Sequence, residues 1–121
     1  MKIGNGPIVI PWDFTEVAAN ALEYAVSLSG QFNNKHIALI HVVKSSKDIR
    51  PKLTELEQIA EDNSTKNHLD IQPYVKAGKL TSAIADFAGE TEAEIVIMGI
   101  HDKGGAQKIK GSQALKIVHH S

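Results

Sequence analysis

The chain has 121 residues, 42% of them apolar, which suffices for one domain with its own core and is too little for two. Thirteen Lys and Arg stand against fourteen Asp and Glu, a formal charge of −1, so no overall field favours nucleic acid or an anionic membrane, and neither is expected as a partner. Cysteine is absent, which excludes disulfides, thiol nucleophiles and thiolate metal sites and fits a reducing, cytoplasmic setting.

Trp12, Asp13, Thr15 and Glu16 follow so soon after the start that no apolar signal-peptide core precedes them. No apolar run approaches the ~20 residues of a membrane-spanning helix, so a soluble domain is expected. The first element is a strand over residues 7–10, a short β-branched apolar run. Thr15 then caps a helix in which Val17, Ala18, Ala21, Leu22, Ala25, Val26 and Leu28 recur at helical spacing, and Gly30 is expected to end it. A second apolar strand covers 37–43. Pro51 suits the first turn of the next helix, whose stripe is Leu53, Leu56, Ile59 and Ala60, with Glu55, Glu57, Glu61 and Asp62 on a solvated face. The run 71–75 alternates and holds Pro73, which places it at a sheet edge. Thr81 or Ser82 starts a third helix with stripe Ile84, Phe87 and Ala88; a fourth strand covers 94–98; and a fourth helix begins at Ser112 and uses Ala114, Leu115, Ile117 and Val118.

Strand and helix thus alternate four times. That pattern predicts an α/β fold, a three-layer open parallel sheet with helices on both faces and right-handed crossovers. Ligands of such sheets bind beyond the carboxyl ends of the strands, where the strand order reverses. The loops in question are 11–15, 44–50, 77–81 and 99–112.

The richest of these is the last. Gly99, Gly104, Gly105 and Gly111 allow close approach of backbone amides to a phosphate, the helix expected at Ser112 adds its positive end, and Lys103, Lys108 and Lys110 add charge. A surface turn at Gly104-Gly105 with Ser112 as a plain N-cap accounts for the same residues without a ligand. Asp13 follows the first strand at the same sheet edge, where its carboxylate suits a ribose hydroxyl or a base amine and equally suits a helix cap. Trp12 stacks on a base or covers the end of the core. The histidines, His36, His41, His68, His101, His119 and His120, do not form a metal-binding spacing, and no metal site is expected. His41 reads as a packed or hydrogen-bonded core histidine; His101 lies where it could reach a phosphate. There is no nucleophile elbow, Walker loop or complete Rossmann fingerprint, so weak ATP hydrolysis is the most that an enzymatic reading allows.

Ile8-Val-Ile-Pro-Trp-Asp-Phe-Thr-Glu, Ala21-Leu-Glu-Tyr-Ala, Ile40-His-Val-Val, Gly78, Met98-Gly-Ile-His and Gly111-Ser112 resemble the universal stress protein family in order and spacing, over almost the whole chain. The resemblance implies a Rossmann-like, adenine-nucleotide-hydrolase-like fold, usually dimeric, in a stress-response regulatory or binding domain. The ligand it implies is an adenine nucleotide, ATP or AMP, with contacts at Pro11, Trp12, Asp13, Val42, Met98, Gly99, His101, Gly111, Ser112 and Gln113, and with Val42 offering backbone groups to adenine. ATP-binding members carry Gly, two residues, Gly, nine residues, then Gly and Ser or Thr. Here Gly99 and Gly111-Ser112 match, but Asp102 stands at the second glycine and eight residues separate it from Gly111. A carboxylate there repels a triphosphate unless a cation such as Mg2+ bridges them, which counts against ATP. An alternative within the family is a protein-interaction module that dimerises and binds no ATP. Members usually end in an apolar strand that often pairs across a dimer. None is expected after His119-His120-Ser121, so residues 1–121 are read as a single domain without it or as one half of a tandem pair.

Overall fold

The computed structural model describes residues 6–101 and 115–120, with backbone alone for 100, 101 and 115–120. The elements are β1 (Ile8–Pro11), α1 (Glu16–Phe32), β2 (His36–Val43), α2 (Ile49–Asn67), β3 (Asp70–Ala77), α3 (Leu80–Glu90), β4 (Ile95–His101) and β5 (Leu115–His120). Among the described residues five strands form one sheet in the order β3-β2-β1-β4-β5, and every neighbouring pair is parallel. The chain therefore has the α/β fold its alternation predicts, and β3, with Pro73, lies at an edge.

β1 and the middle of β2 are apolar at consecutive positions because both of their faces are covered. Ile8, Ile10, Ile37, Leu39 and Ile97 face Ala18, Ala21, Leu22 and Ala25 of α1 and Leu56 and Ala60 of α2. On the other face Val9, Ala38, Ile40, Val96 and Met98 pack with Ile84, Phe87 and Ala88 of α3. The largest fully buried side chains among the described residues all belong to these two layers, which place α1 and α2 on one side of the sheet and α3 on the other.

Four expectations are corrected. α1 does not stop at Gly30 but runs to Phe32, because Asn33 takes the left-handed cap at φ 55° and its N–H reaches the Gly30 carbonyl. α3 starts at Leu80, after Lys79 and without a side-chain cap, one residue before Thr81. β4 continues past Met98 to His101, so Gly99 and His101 stand in the strand rather than in a loop. The helix expected over Leu115, Ile117 and Val118 is instead the strand β5, paired with β4 from Val96↔Leu115 to His101↔His120. Its short β-branched run fits either period, and pairing satisfies a β4 edge that a helix would leave open.

The amino-terminal end of the sheet is fastened by polar contacts. The Asn34 amide donates to the Gly6 carbonyl at 3.1 Å and to Glu94 Oε1 at 2.6 Å, and the Glu94 N–H donates to the Pro7 carbonyl at 3.0 Å. His36 Nδ1 lies 3.0 Å from Asp70 Oδ2, and Gln72 Nε2 donates to Asp70 Oδ1 at 2.6 Å.

Candidate functional site

The strand order reverses between β1 and β4, since β2 and β3 continue to one side and β5 to the other. The crevice at the carboxyl ends of these two strands is thus the position where an α/β sheet binds ligands. The register pairs Ile8 with Ile37 and with Ile95, so counting forward along the strands sets Trp12 level with Gly99 and Asp13 level with Val42. Those four positions converge from three strands.

Asp13 is exposed. Its Oδ1 accepts from the Thr15 N–H at 3.2 Å and from the Thr15 hydroxyl. Thr15 in turn caps α1, its Oγ1 accepting from the Ala18 N–H at 3.4 Å. Both of these bonds use Oδ1, and Oδ2 makes no hydrogen bond among the described residues. Between these residues Phe14 adopts φ 64°, a left-handed conformation costly for an aromatic residue, and its ring packs against the α1/α2 core. The Lys52 ammonium sits 4.9 Å from the centre of that ring.

Trp12 takes the core-covering role. Its side chain is 7% exposed within the α1/α2 core, and its backbone N–H donates to the Ile40 carbonyl at 2.8 Å. The indole N–H has no partner among the described residues. A base has no exposed indole face to stack on here.

β1 stops pairing at Pro11↔Ile40, whereas β2 stays paired with β3 as far as Val43↔Ala77. Because the Ile40 carbonyl faces β1, the N–H and C=O of Val42, two residues on, face the same side, beyond the end of β1. The Val42 side chain is half-buried against the α3-side core, so packing and an outward-facing backbone coexist. Pro11 is half-buried at the end of β1, and Met98 is 8% exposed in the α3-side core, contributing packing.

Gly99 has a structural reason of its own. A Cβ there would meet the Val17 carbonyl oxygen and lie 2.8 Å from Val17 Cγ1, so the first turn of α1 crosses β4 with room only for hydrogen. His101 is the last residue of β4 and is in register with His120. Gly111, Ser112 and Gln113, and with them Asp102, Gly104, Gly105, Lys103, Lys108 and Lys110, lie outside the described residues. Gly78 follows β3 with φ 147°, and its N–H donates to the Val43 carbonyl at 2.9 Å, so a glycine closes that neighbouring loop.

Sequence reasoning left Phe14 and Lys52 unmarked and weighed His41 only as a core residue. His41 Nδ1 lies 2.6 Å from the Trp12 carbonyl oxygen, and its ring meets Phe14 edge-on at 4.9 Å. An aromatic between Asp13 and Thr15 and a histidine level with Trp12 in the register are the signals that point to this contact. A groove of about 240 Å3 lined by Pro7, His36, Asp70 and Tyr74 lies at the opposite, amino-terminal end of the sheet. Among the described residues no three His, Asp or Glu side chains converge on a metal position, and no helix is long and apolar enough to cross a membrane.

Among curated proteins none matches the chain. Among solved structures, a universal stress protein in complex with cAMP is 15% identical and superposes with a TM-score of 0.74 over 99% of this chain and 100% of that one. A universal stress protein family member from Arabidopsis thaliana with AMP bound is 12% identical, with a TM-score of 0.72 over 96% and 92% of the two chains. A universal stress protein from Archaeoglobus fulgidus DSM 4304 is 22% identical with a TM-score of 0.63; the match takes in 83% of this chain and only 34% of that longer one. At such identities the likeness speaks for the fold. The profile of the Universal stress protein family matches residues 4–121, and the chain, with the sheet order and strand-end crevice described above, belongs to that family.

Proposed function

We propose that this chain is a stress-response binding domain that holds an adenine nucleotide, a monophosphate in preference to ATP, in the crevice between β1 and β4. The observation that carries this reading is the backbone of Val42, whose N–H and C=O face the space beyond the end of β1, level with Asp13. A donor and an acceptor side by side on one strand match adenine, which offers a ring nitrogen to accept and an exocyclic amine to donate. Asp13 Oδ2 then serves a ribose hydroxyl while Oδ1 stays on Thr15. Support also comes from the relatives solved with AMP and with cAMP. The phosphate side falls to Gly99, His101, Gly111, Ser112 and Gln113. Asp102 opposes a triphosphate by like charge, and a bridging Mg2+ would have to offset it. The domain binds rather than turns over its ligand, works in the cytoplasm, as the cysteine-free composition supports, and acts as a homodimer or as half of a tandem pair.

Titration calorimetry of AMP, cAMP, ADP and ATP tests it, with Asp13→Ala and Asp102→Gly beside the natural chain. Binding of AMP that Asp13→Ala weakens by tenfold or so, and ATP binding that Asp102→Gly improves, are the expected outcomes. No heat and no thermal shift at millimolar nucleotide in a folded sample would sink the ligand. A second reading is favoured by Gly99, whose contact with Val17 explains the glycine with no ligand at all. In that case the chain is a dimerising interaction module, and native mass measurement should give an oligomer indifferent to nucleotide.

A further inference from the structure

The position of His41 carries an inference that rests on the nucleotide reading above and deepens it. In a parallel ladder, a residue whose N–H bonds to the neighbouring strand receives at its carbonyl the N–H two residues further along that strand. Trp12 gives its N–H to Ile40, so its carbonyl is the regular partner of the Val42 N–H. That bond is absent among the described backbone hydrogen bonds, and His41 Nδ1 occupies the Trp12 oxygen instead, at 2.6 Å. A carbonyl only accepts, so Nδ1 carries the proton. Its neighbours hold the imidazole in this orientation. The ring stands at 78° to Phe14, which is fixed in turn by its left-handed backbone and by the Lys52 ammonium over its face.

We propose that His41 is a positioning residue that ends the β1–β2 ladder by capturing the Trp12 carbonyl, and so keeps the Val42 N–H open for the edge of an adenine base. The side chain sits at the top of the α1/α2 face of the sheet while the amide it releases faces along the sheet, so His41 acts without touching the ligand. Substituting a ring without a donor frees the Trp12 oxygen, which then takes the Val42 N–H, and the sheet zips up one rung over the site.

The test compares the natural chain with His41→Phe, which fills the space without a donor, and His41→Asn, whose amide can place a donor near the position of Nδ1. Amide hydrogen exchange at Val42, without nucleotide and with Ile40 as a protected reference, reads the ladder. Titration with AMP reads the site. The expected result is a fast-exchanging Val42 in the natural chain and in His41→Asn, a protected one in His41→Phe, and AMP affinity lowered roughly three- to tenfold in His41→Phe alone. A protected Val42 in the natural chain, or one that exchanges equally fast in His41→Phe, overturns the proposal. If His41→Phe does not fold, His41→Ala takes its place as the donor-free variant, and protection of Val42 in the natural chain, or an AMP affinity of His41→Asn as poor as that of His41→Ala, overturns the proposal. An exchange pattern as expected with no AMP bound by the natural chain overturns the ligand half together with the proposed function, while a failed pattern with AMP bound removes His41 alone.

Discussion

A methyl group on Gly99 would meet the Val17 carbonyl oxygen and sit 2.8 Å from Val17 Cγ1, and the obstacle is helix backbone rather than a flexible side-chain end. Gly99→Ala should therefore push the first turn of α1 away from β4 and lower the unfolding free energy by about 1–3 kcal/mol, measured by urea denaturation. The same shift moves Thr15 and the Asp13 carboxylate tied to it, so any nucleotide affinity should fall along with stability. At this scale the site was partly open to reading from the sequence. Asp13 and Val42 could be placed by counting from strands whose apolar runs are unambiguous. The contact between His41 and the Trp12 carbonyl joins residues 29 apart, so it comes into view only once the strand register sets His41 level with Trp12. Phe14 is harder still, because its left-handed backbone is imposed by the turn between a strand and a capped helix, and no residue preference marks a phenylalanine for that conformation.

Among the elements, α1 shows how a glycine misleads. Gly30 reads as a helix stop, yet it lies inside the helix, exposed, with nothing within 4 Å of the position a Cβ would take. Gly30→Ala should accordingly stabilise the fold by about 0.5–1 kcal/mol, seen as a rise of a few degrees in Tm, since alanine loses less backbone freedom on folding. The stop signal that counts is Asn33, three residues later, in the left-handed cap. β4 misleads in the other direction: Gly99-Ile-His looks like the opening of a loop, but pairing with β5 carries the strand to His101, well past the point where its pairing with β1 ends at Val96. Over Leu115 to Val118 the apolar residues satisfy helical and strand periods alike, so only the vacant edge of β4 decides between them. By contrast β1, β2 and the edge position of β3 follow from their composition, because burial on two faces and a proline at an edge leave few alternatives.

For the molecule as a whole, acid stability draws on the amino-terminal end of the sheet. Hydrogen bonds from Gln72 and His36 hold the Asp70 carboxyl below its ordinary value of 3.8. A carboxylate whose folded value is lower than its unfolded one adds stability that is complete above 3.8 and is lost as the pH falls through the folded value. Asp70→Asn should thus cost about 0.5 kcal/mol or less at pH 7, the pair being well exposed, and the gap to the natural chain should close as the pH is taken below 3.8 in a series of thermal melts. The overall architecture was legible from alternation alone, since parallel strands joined by helices admit few topologies. The crevice followed from it by the rule of the reversing strand order.

The polar fastening by Asn34, Glu94, His36 and Asp70 sits at one end of the strands, and the Asp13, Val42 and Gly99 positions sit at the other. Such a division separates what holds the sheet together from what the rim can recognise. Substitutions at the far rim that spare the Gly99–Val17 contact should change what is recognised there without loosening the clasp that keeps the strands in step.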